Sequence, residues 1–359
     1  MRLSLPAVTE GLRDDDPGLL MLARALTGAD PRAILLVCCG DLPGVPSGAT
    51  RVVLDVREEK GARSQTIRAG DRPRVAALAD LRHAAVWPRA HLGKDFTFAC
   101  LAIGARALAP GGALLCSVRK AKGAESIADQ MAALLGNVDT IARDSGYRLL
   151  RSVRESTFDA ALADALTSVR HEIRDPVLGD VVLRSAPGVF SRRALDDGTR
   201  ALIEHVSAWA NDAGSPRAVI DLCAGIGPLA IWAARRWPAA HVLAVESNVI
   251  AAALIGENAA DAGVGDRVYA RLGDGLPHDA GVVAVRPGTV ELALVNPPTH
   301  ADKDDLVGLF APLRKWMAPG GSAFVVVSRA GVSTRGLEAA GARVQEHRAG
   351  AYSILHAQW

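Results

Sequence analysis

Short aliphatic runs alternate along this chain with longer mixed segments, a pattern that predicts strands alternating with helices. The segment from Ala218 to Trp237, AVIDLCAGIGPLAIWAARRW, predicts a strand, a tight turn and a helix. The run LALV, from Leu292 to Val295, predicts another buried strand, which stops at Asn296. Because strands that alternate with helices usually pair in parallel, we expect a mostly parallel sheet with helices on both faces.

The two halves of the chain repeat this plan. The segments ARALAPGGALLCSV (105–118) and RKWMAPGGSAFVVVS (314–328) each predict a helix end, an Ala-Pro-Gly-Gly turn and a buried strand. Upstream, PRAILLVCCGDLPG matches PRAVIDLCAGIGPLA, and RVVLDVRE matches HVLAVESN, roughly 190 to 210 residues later. Matched elements in one order predict a single α/β fold used twice, although common strand–turn–helix grammar could also produce the likeness.

These matches divide the chain into three parts. We expect a first domain over residues 1–150, a connector over 151–184 and a second domain over 185–359. The connector is expected to contain a helix from Phe158 to Val169 and a short hairpin through Pro176–Val182. A chain of 359 residues is long for one domain and suits two.

Composition narrows the setting. Hydrophobic residues make up 49% and charged residues 22%, which is ordinary for a folded globular chain. No apolar run is long enough for a signal peptide or a membrane span. The five cysteines form no C-x-x-C pair, which favours a reducing cytosol over a disulfide frame or a zinc site. We therefore expect a cytoplasmic protein with no membrane or metal partner.

Charge is unevenly distributed between the halves. Residues 1–150 carry 20 Lys and Arg against 16 Asp and Glu, whereas residues 151–359 carry 21 against 23. The asymmetry slightly favours an anionic partner for the first half, and an ordinary solvated surface is the alternative.

Acidic residues follow successive predicted strands of the second half. Gly225 and Gly227 allow a sharp turn before a helix, and Asp221 lies four residues before Gly225. Glu246 ends the next strand and Asp274 follows a third. Their carboxylates could meet an ammonium group, a ribose diol and an adenine amino group in the crevice of an open α/β sheet. This pattern alone does not separate a nicotinamide dinucleotide from S-adenosylmethionine.

Asn296-Pro297-Pro298 adds a specific chemistry. The Asn296 amide oxygen and the Pro297 carbonyl are two acceptors on a stiff loop, and proline offers no donor. Such acceptors suit a conjugated amino group, whose delocalised lone pair makes the nitrogen a poor nucleophile. Hydrogen bonds from both its hydrogens can hold that nitrogen in line with a methyl donor and strengthen in the transition state. No general base is then required before methyl transfer.

The second half resembles class I S-adenosylmethionine-dependent methyltransferases that methylate amines, at DLCAGIG, VES, LGD and NPPTH. Further upstream, SAPGVFSRRALDDGTRALIEHV (185–206) is similar to the signature of two-domain ribosomal-RNA guanine methyltransferases of the RsmC and RlmG type. The resemblance implies two tandem Rossmann-like class I methyltransferase domains, with a degenerate first copy that helps hold RNA. It also implies that the final segment ARVQEHRAGAYSILHAQW forms the reversed last strands.

The resemblance assigns roles to individual residues. It implies a catalytic group of Asn296, Pro297 and Pro298. It implies cofactor contacts from Asp221, Cys223, Ala224, Gly225, Gly227, Glu246, Ser247, Asp274 and Asn296. It implies substrate contacts from Phe190, Ser191, Thr299 and His300, and from Arg119, Lys120 and Lys122 in the basic loop RKAKGAES of the first half. For that loop, a solvated surface is the alternative.

Two positions depart from the family pattern. Cys223 replaces the more usual glycine of the first motif. Thr299 replaces the aromatic residue that normally follows Asn-Pro-Pro and stacks on the flipped base, and base–aromatic stacking contributes about 1–3 kcal/mol. Phe190 and Trp316 are candidates to supply another ring.

The sequence therefore predicts a monomeric enzyme that methylates the 2-amino group of a guanine in ribosomal RNA or a ribosomal subunit, with the small-subunit RNA as first choice. The base must be flipped out or unpaired for its amine to reach the methyl donor. The alternatives are an enzyme acting on an adenine amine or a protein glutamine, and a non-catalytic RNA-binding protein with a relic cofactor site. An NAD-dependent oxidoreductase would explain the turn and Glu246 but leave Asn296 without a role.

Overall fold

The computed structural model describes residues 16–40, 42, 45, 47–59, 65–211, 214–277, 282, 284–298 and 303–359. The chain divides into two compact units, of which the first ends at Arg170 and the second begins at His171. The expected connector is divided between them. Its helix lies in the first unit and its hairpin in the second.

The first unit contains a seven-stranded sheet and flanking helices. Its strands are β1 (Ile34–Val37), β2 (Thr50–Val53), β3 (Gln65–Arg68), β4 (Leu81–Val86), β5 (Leu108–Arg119), β6 (Asp139–Asp144) and β7 (Tyr147–Val153). Its helices are α1 (Pro17–Ala25), α2 (Arg72–Ala76), α3 (Lys94–Ala107), α4 (Ala124–Leu135) and α5 (Ala160–Thr167). The strand order is β3-β2-β1-β4-β5-β7-β6, and only the pairings made by β7 are antiparallel in this described sheet.

The second unit contains a hairpin and a second seven-stranded sheet. Its strands are β8 (His171–Arg174), β9 (Val182–Ser185), β10 (Ala218–Leu222), β11 (His241–Glu246), β12 (Val268–Leu272), β13 (Val290–Val295), β14 (Met317–Val327), β15 (Arg343–Ala349) and β16 (Tyr352–Gln358). Its helices are α6 (Asp197–Trp209), α7 (Pro228–Arg236), α8 (Val249–Asp261), α9 (Lys303–Phe310), α10 (Leu313–Trp316) and α11 (Ala330–Ala339).

The order of the second large sheet is β12-β11-β10-β13-β14-β16-β15, which repeats the order of the first sheet strand for strand. The prediction of one α/β fold used twice is confirmed. The connector helix and hairpin are also present, as α5 and as the β8–β9 pair. The last two strands run antiparallel, as the resemblance implied.

The repeated Ala-Pro-Gly-Gly segments have a shared geometric reason. Gly111 and Gly320 have φ values of +79° and +80°, a region that residues with a Cβ rarely adopt. A Cβ on Gly112 or Gly321 would lie 2.8 Å from the carbonyl oxygen of Leu81 or Val290, respectively. The second glycine therefore allows β5 and β14 to approach the neighbouring parallel strand.

Alternation along the central strand fills the core on both faces of the second sheet. Val219 packs in one apolar cluster with residues of α6, α7 and α8, whereas Ile220 and Leu222 pack in the other with residues of α9, α10 and α11. All five residues of β10 are buried, including Asp221. A carboxyl group is thus enclosed in an otherwise apolar strand.

Candidate functional site

The predicted polar residues of the second unit meet at one edge of its sheet. Parallel strands β12, β11, β10 and β13 are neighbours, so their carboxyl ends lie side by side. Asp221 lies near the end of β10, Glu246 ends β11, and Asn296 directly follows β13. Asp274 lies two residues beyond β12 and is exposed. The structure therefore brings the four together at the ligand-binding edge of an open α/β sheet.

The turn after β10 is tight and left-handed at three positions. The φ values are +63° at Cys223, +56° at Gly225 and +93° at Gly227. The backbone NH of Gly227 donates to the carbonyl of Ala224 at 2.9 Å, and α7 begins at Pro228. A Cβ on Gly225 would meet no atom within 4 Å, so the turn borders open space at the start of a helix.

The φ of Cys223 explains why glycine is usual at this position. A residue with a Cβ is strained in the left-handed region by about 1–2 kcal/mol. Cys223 is thus accommodated with backbone strain beside the turn.

Asp221 is fully enclosed. Its Oδ2 accepts a hydrogen bond from the backbone NH of Ala230, in the first turn of α7, at 2.9 Å. Its Oδ1 has no hydrogen-bond partner among the described residues. Burial raises the pKa of the Asp221 carboxyl to about 8, the Ala230 NH opposes the rise, and the negative charge of Glu246 adds to it. Asp221 thus orients the glycine turn, and its Oδ1 can accept from a cationic or donor group when the carboxyl is ionised.

Glu246 is tied to the same turn. Its Oε2 accepts from the backbone NH of Gly225 at 2.7 Å, and its Oε1 accepts from those of Ser247 and Asn248 at 2.9 and 2.8 Å. Asn248 then caps α8 through its Oδ1 and donates from Nδ2 to the carbonyl of Gly188 at 2.8 Å. The carboxylate is therefore held in one orientation, and the loop after β9 is anchored beside it.

Asn296 is oriented by two contacts. Its Nδ2 donates to Oδ2 of Asp196 and to Oγ1 of Thr199, both at 2.9 Å. Because these contacts use both amide hydrogens, Oδ1 is directed away from the two acceptors. Pro297 is buried and Pro298 is half-buried, whereas Thr299 and His300 lie outside the described residues.

One pocket lies between Asn296 and the glycine turn, and Asp221, Glu246 and Asp274 are not among the residues that line it. It is lined by Phe190, Ser191, Asp196, Thr199, Cys223, Ala224, Gly225, Pro228 and Asn296, among others. The side chain of Phe190 is 60% exposed at its rim. Trp316, by contrast, is fully buried and donates from Nε1 to the carbonyl of Pro277, so it cannot stack on a ligand here. Of the two rings considered, Phe190 is the one that reaches the pocket.

The corresponding edge of the first unit has a different chemistry. Val37 pairs with Val86, the last residue of β4, as Leu222 pairs with Val295, the last residue of β13. This register places Leu36 where the second unit has Asp221. Continued through β2, it places Val53 where the second unit has Glu246.

Trp87 likewise takes the place of Asn296. Two residues later, buried Arg89 donates to Oε1 of Glu58 at 2.8 Å and to the carbonyl of Cys38 at 3.1 Å. Both side chains of this ion pair are fully enclosed. The first unit thus has apolar side chains and an internal ion pair where the second has its acidic groups.

The basic loop of the first unit follows β5. Arg119, Lys120 and Lys122 are exposed. The Arg119 guanidinium lies over the ring of Tyr147, and its Nε donates to the Tyr147 hydroxyl at 2.7 Å. Lys120 and Lys122 are therefore better placed than Arg119 to meet a phosphate.

Three residues of the second unit were missed as site residues. Asp196 and Thr199 hold Asn296, and Asn248 anchors the Phe190 loop. An N-cap signal, an Asp three residues before Thr199, was visible in LDDGTR, but its contact with a residue 100 positions later was not.

No helix in the described part of the chain is long and apolar enough to cross a membrane. The described residues also contain no group of three or more His, Cys, Asp or Glu suited to a metal ion.

Comparison with known sequences identifies a family. The family described as Methyltransferase small domain matches residues 180–356. A 229-residue segment is 30% identical to the ribosomal RNA large subunit methyltransferase G of Pseudomonas fluorescens, covering 62% of this chain and 56% of that protein. A 114-residue segment is 37% identical to the 4-amino-L-phenylalanine/4-methylamino-L-phenylalanine methyltransferase of Streptomyces pristinaespiralis, covering 32% and 36%. The chain spans about half the length of the curated relatives it matches first.

Comparison with solved structures concerns the fold. The T. thermophilus 16S rRNA N2 methyltransferase RsmC, in complex with AdoMet and guanosine, matches with a TM-score of 0.77 at 22% identity. The match covers 96% of this chain and 92% of that one, so both units share its tandem architecture. Residues 180–356 belong to the methyltransferase small domain family, and the resemblance to two-domain class I methyltransferases is confirmed in family and fold.

Proposed function

We propose that this member of the methyltransferase small domain family transfers a methyl group from S-adenosylmethionine to the exocyclic 2-amino group of a guanine in ribosomal RNA. The observation that carries the proposal is the orientation of Asn296, whose amide hydrogens are both taken by Asp196 and Thr199. Its oxygen is therefore available as an acceptor for an amine. The reaction of an oxidoreductase would not require an acceptor oriented in this way.

The residues around the glycine turn fit the cofactor. The unpartnered Oδ1 of Asp221 suits a cationic or donor group, and the open space beside Gly225 leaves room for a ligand against α7. The oriented carboxylate of Glu246 suits a ribose diol, and Asp274 lies beyond the next strand, where an adenine would bind. When bound, S-adenosylmethionine supplies an electrophilic methyl group.

The chain's own contribution is to hold the amine. Asn296 Oδ1 and the Pro297 carbonyl accept the two hydrogens of the guanine amine and fix the direction of its nitrogen. These hydrogen bonds strengthen as the nitrogen becomes positive, so they stabilise the transition state more than the ground state. Phe190, at the rim of the same pocket, can stack on the base in place of the aromatic residue that Thr299 replaces.

Ribosomal RNA is supported as the substrate by the relatives and by the first unit. The ribosomal RNA methyltransferase G relatives align with up to 62% of the chain. The loop bearing Lys120 and Lys122 offers exposed cations for a phosphate backbone. We propose the small-subunit RNA as the first candidate substrate, because RsmC, whose solved structure matches both units, is named as a 16S rRNA methyltransferase. The large-subunit RNA is the second candidate, because the relatives matched first carry that name.

The substrate proposal is tested by mapping N2-methylguanine in both ribosomal RNAs from cells with and without this protein. We expect one guanine to lose its methyl group when the protein is absent, and adding the purified protein with S-adenosylmethionine should restore it. If no guanine changes in either RNA, the substrate proposal is wrong.

For the catalytic group, we predict that Asn296→Ala lowers the rate of methyl transfer at least about 100-fold, the loss typical of removing one transition-state hydrogen-bond partner. The affinity for S-adenosylmethionine, measured by isothermal titration, should stay within a few-fold, because Asn296 acts on the amine. The control is Asn211→Ala, which truncates an exposed asparagine just after α6. Near-normal turnover in Asn296→Ala would contradict the assigned role.

A further inference from the structure

An asparagine side chain can present either its oxygen or its NH2 group to a ligand, because the two differ little in shape. The proposed function requires the oxygen of Asn296 to face the substrate amine. A flipped amide would instead point two hydrogens at the hydrogens of that amine. Something in the second unit must therefore select one orientation.

Thr199 cannot make this selection alone. A hydroxyl group donates or accepts, so Thr199 Oγ1 could bond to either end of the amide. Asp196 differs, because an ionised carboxylate only accepts hydrogen bonds. Its Oδ2 receives the Asn296 Nδ2 at 2.9 Å, and a flipped amide would bring two oxygens together there.

Asp196 is itself fixed by the helix that it precedes. The same Oδ2 accepts the backbone NH of Thr199 at 2.9 Å, as the N-cap of α6, and lies 3.5 Å from the Thr199 hydroxyl. The side chain is thus anchored to backbone before Asn296 meets it. We propose that Asp196, with Thr199, is a positioning residue that sets the amide orientation of Asn296; this inference depends on the proposed function.

The first unit shows that the cap and the amide contact are separable. Asp16 also caps α1, but through Oδ1 and the backbone NH two residues on, that of Gly18, at 2.8 Å. Its other oxygen accepts from the Tyr147 hydroxyl at 2.9 Å, and the residue in the place of Asn296 is Trp87. Both copies therefore use a capping aspartate, and the copy that has the asparagine also uses it to hold an amide.

The test uses substitutions in the full-length protein. Asp196→Asn keeps an efficient helix cap but can offer the Asn296 amide either an oxygen or an NH2 group. Thr199→Val removes one acceptor at nearly constant shape, and Thr199→Ser restores it. Asp197→Asn makes the same charge change one residue away, on a side chain that is 75% exposed, and serves as the control.

We expect Asp196→Asn to lower kcat for methyl transfer to RNA by about 10- to 100-fold. Thr199→Val should lower it less, Thr199→Ser should stay within about threefold of the unmodified protein, and Asp197→Asn should not change it. Affinity for S-adenosylmethionine and the melting temperature should be nearly constant throughout. Normal kcat in Asp196→Asn, or a parallel loss of cofactor affinity and stability, would show that Asp196 acts only as a helix cap.

A binding measurement separates this inference from catalysis. In the presence of S-adenosylhomocysteine, the unmodified protein should bind guanosine more tightly than inosine, which lacks the 2-amino group. Asp196→Asn should remove most of that preference. An unchanged preference would overturn the inference.

Failure of the proposed function would look different, because the unmodified protein would neither methylate guanine nor prefer guanosine. Asp196 is then tested by hydrogen exchange of the Asn296 side-chain amide in 15N-labelled protein. Slow exchange that accelerates in Asp196→Asn supports the orientation, and equal exchange rates in both proteins refute it.

Discussion

At the scale of single residues, Asp221 places a carboxyl group in the core of the second unit, near the end of β10. Burial raises the pKa of its carboxyl to about 8, so the folded protein holds a proton that an unfolded chain loses near its ordinary pKa of 3.8. This site therefore contributes most to stability below about pH 4, and its contribution declines as the pH rises towards about 8. A ligand cation beside Oδ1 would favour the charged form again.

We predict that Asp221→Asn removes this pH dependence. The asparagine oxygen can still accept from Ala230, and it does not titrate. The free energy of unfolding, measured with urea at pH 5, 7 and 9, should therefore fall more steeply for the unmodified protein than for the variant. One pKa unit corresponds to about 1.4 kcal/mol, so the two curves should diverge by a few kcal/mol. Parallel curves would show that Asp221 is not buried as described.

Residue types could be predicted at this scale, but their contacts could not. The acidic residues after each strand could be placed at one edge of the sheet, because strand ends in a parallel sheet share an edge. The hydrogen bonds of Asn296 involve residues 97 and 100 positions away, and such pairs are set by how α6 packs near β13. Trp316 was a plausible stacking residue until its burial excluded it.

At the scale of elements, the loop from β9 to α6 carries Phe190 to the pocket. Gly188 is bonded to Asn248, Val189 is buried, and Ser191 has a φ of +48°, so the chain turns sharply around the exposed ring. An anchored loop presents an aromatic ring with little loss of entropy when a base binds. Under the proposed function, this element would supply the ring that the non-aromatic Thr299 lacks.

We predict that Phe190→Ala raises the KM for RNA by about 5- to 150-fold, since base–aromatic stacking contributes about 1–3 kcal/mol. Phe190→Tyr should stay close to the unmodified protein, because it keeps the ring. Ile141→Ala, at another exposed large hydrophobic residue in the first unit, is the matched control. Steady-state methylation with varied RNA measures all three. An unchanged KM in Phe190→Ala would assign base capture to another group.

Elements with an apolar pattern could be predicted from the sequence, whereas the strands at the edges of the sheets were harder to predict. Strands such as β1, β10 and β13 are almost entirely buried and appear as aliphatic runs. Edge strand β6 is exposed at nearly every position, so no period-2 pattern identifies it. The tertiary pairing with β7, rather than its own sequence, makes it a strand.

At the scale of the whole molecule, duplication made the fold predictable and concealed a difference between the copies. The matched segments RVVLDVRE and HVLAVESN each contain an aliphatic run followed by an acidic residue. The observed register instead makes Val53 of the first sheet equivalent to Glu246 of the second. Strand β2 ends at Val53, two residues before Asp55. A register shift is invisible in a pattern match, so the apolar residues Leu36 and Val53 at the positions of Asp221 and Glu246 became apparent only from strand pairing.

The two crevices therefore suggest a division of labour. The second unit would hold the cofactor and the amine, and the first would contribute affinity for RNA through its exposed cations.

We predict that the double variant Lys120→Gln/Lys122→Gln weakens RNA binding without changing the affinity for S-adenosylmethionine. Each lost phosphate contact should also reduce the slope of log K against log salt by about 0.7 to 0.9. Fluorescence anisotropy at several salt concentrations measures both quantities. Arg72→Gln/Arg74→Gln, the same charge change on exposed residues of α2, should alter them less. Equal effects from the two pairs would indicate general electrostatic attraction, and the loop after β5 would then have no specific part in holding RNA.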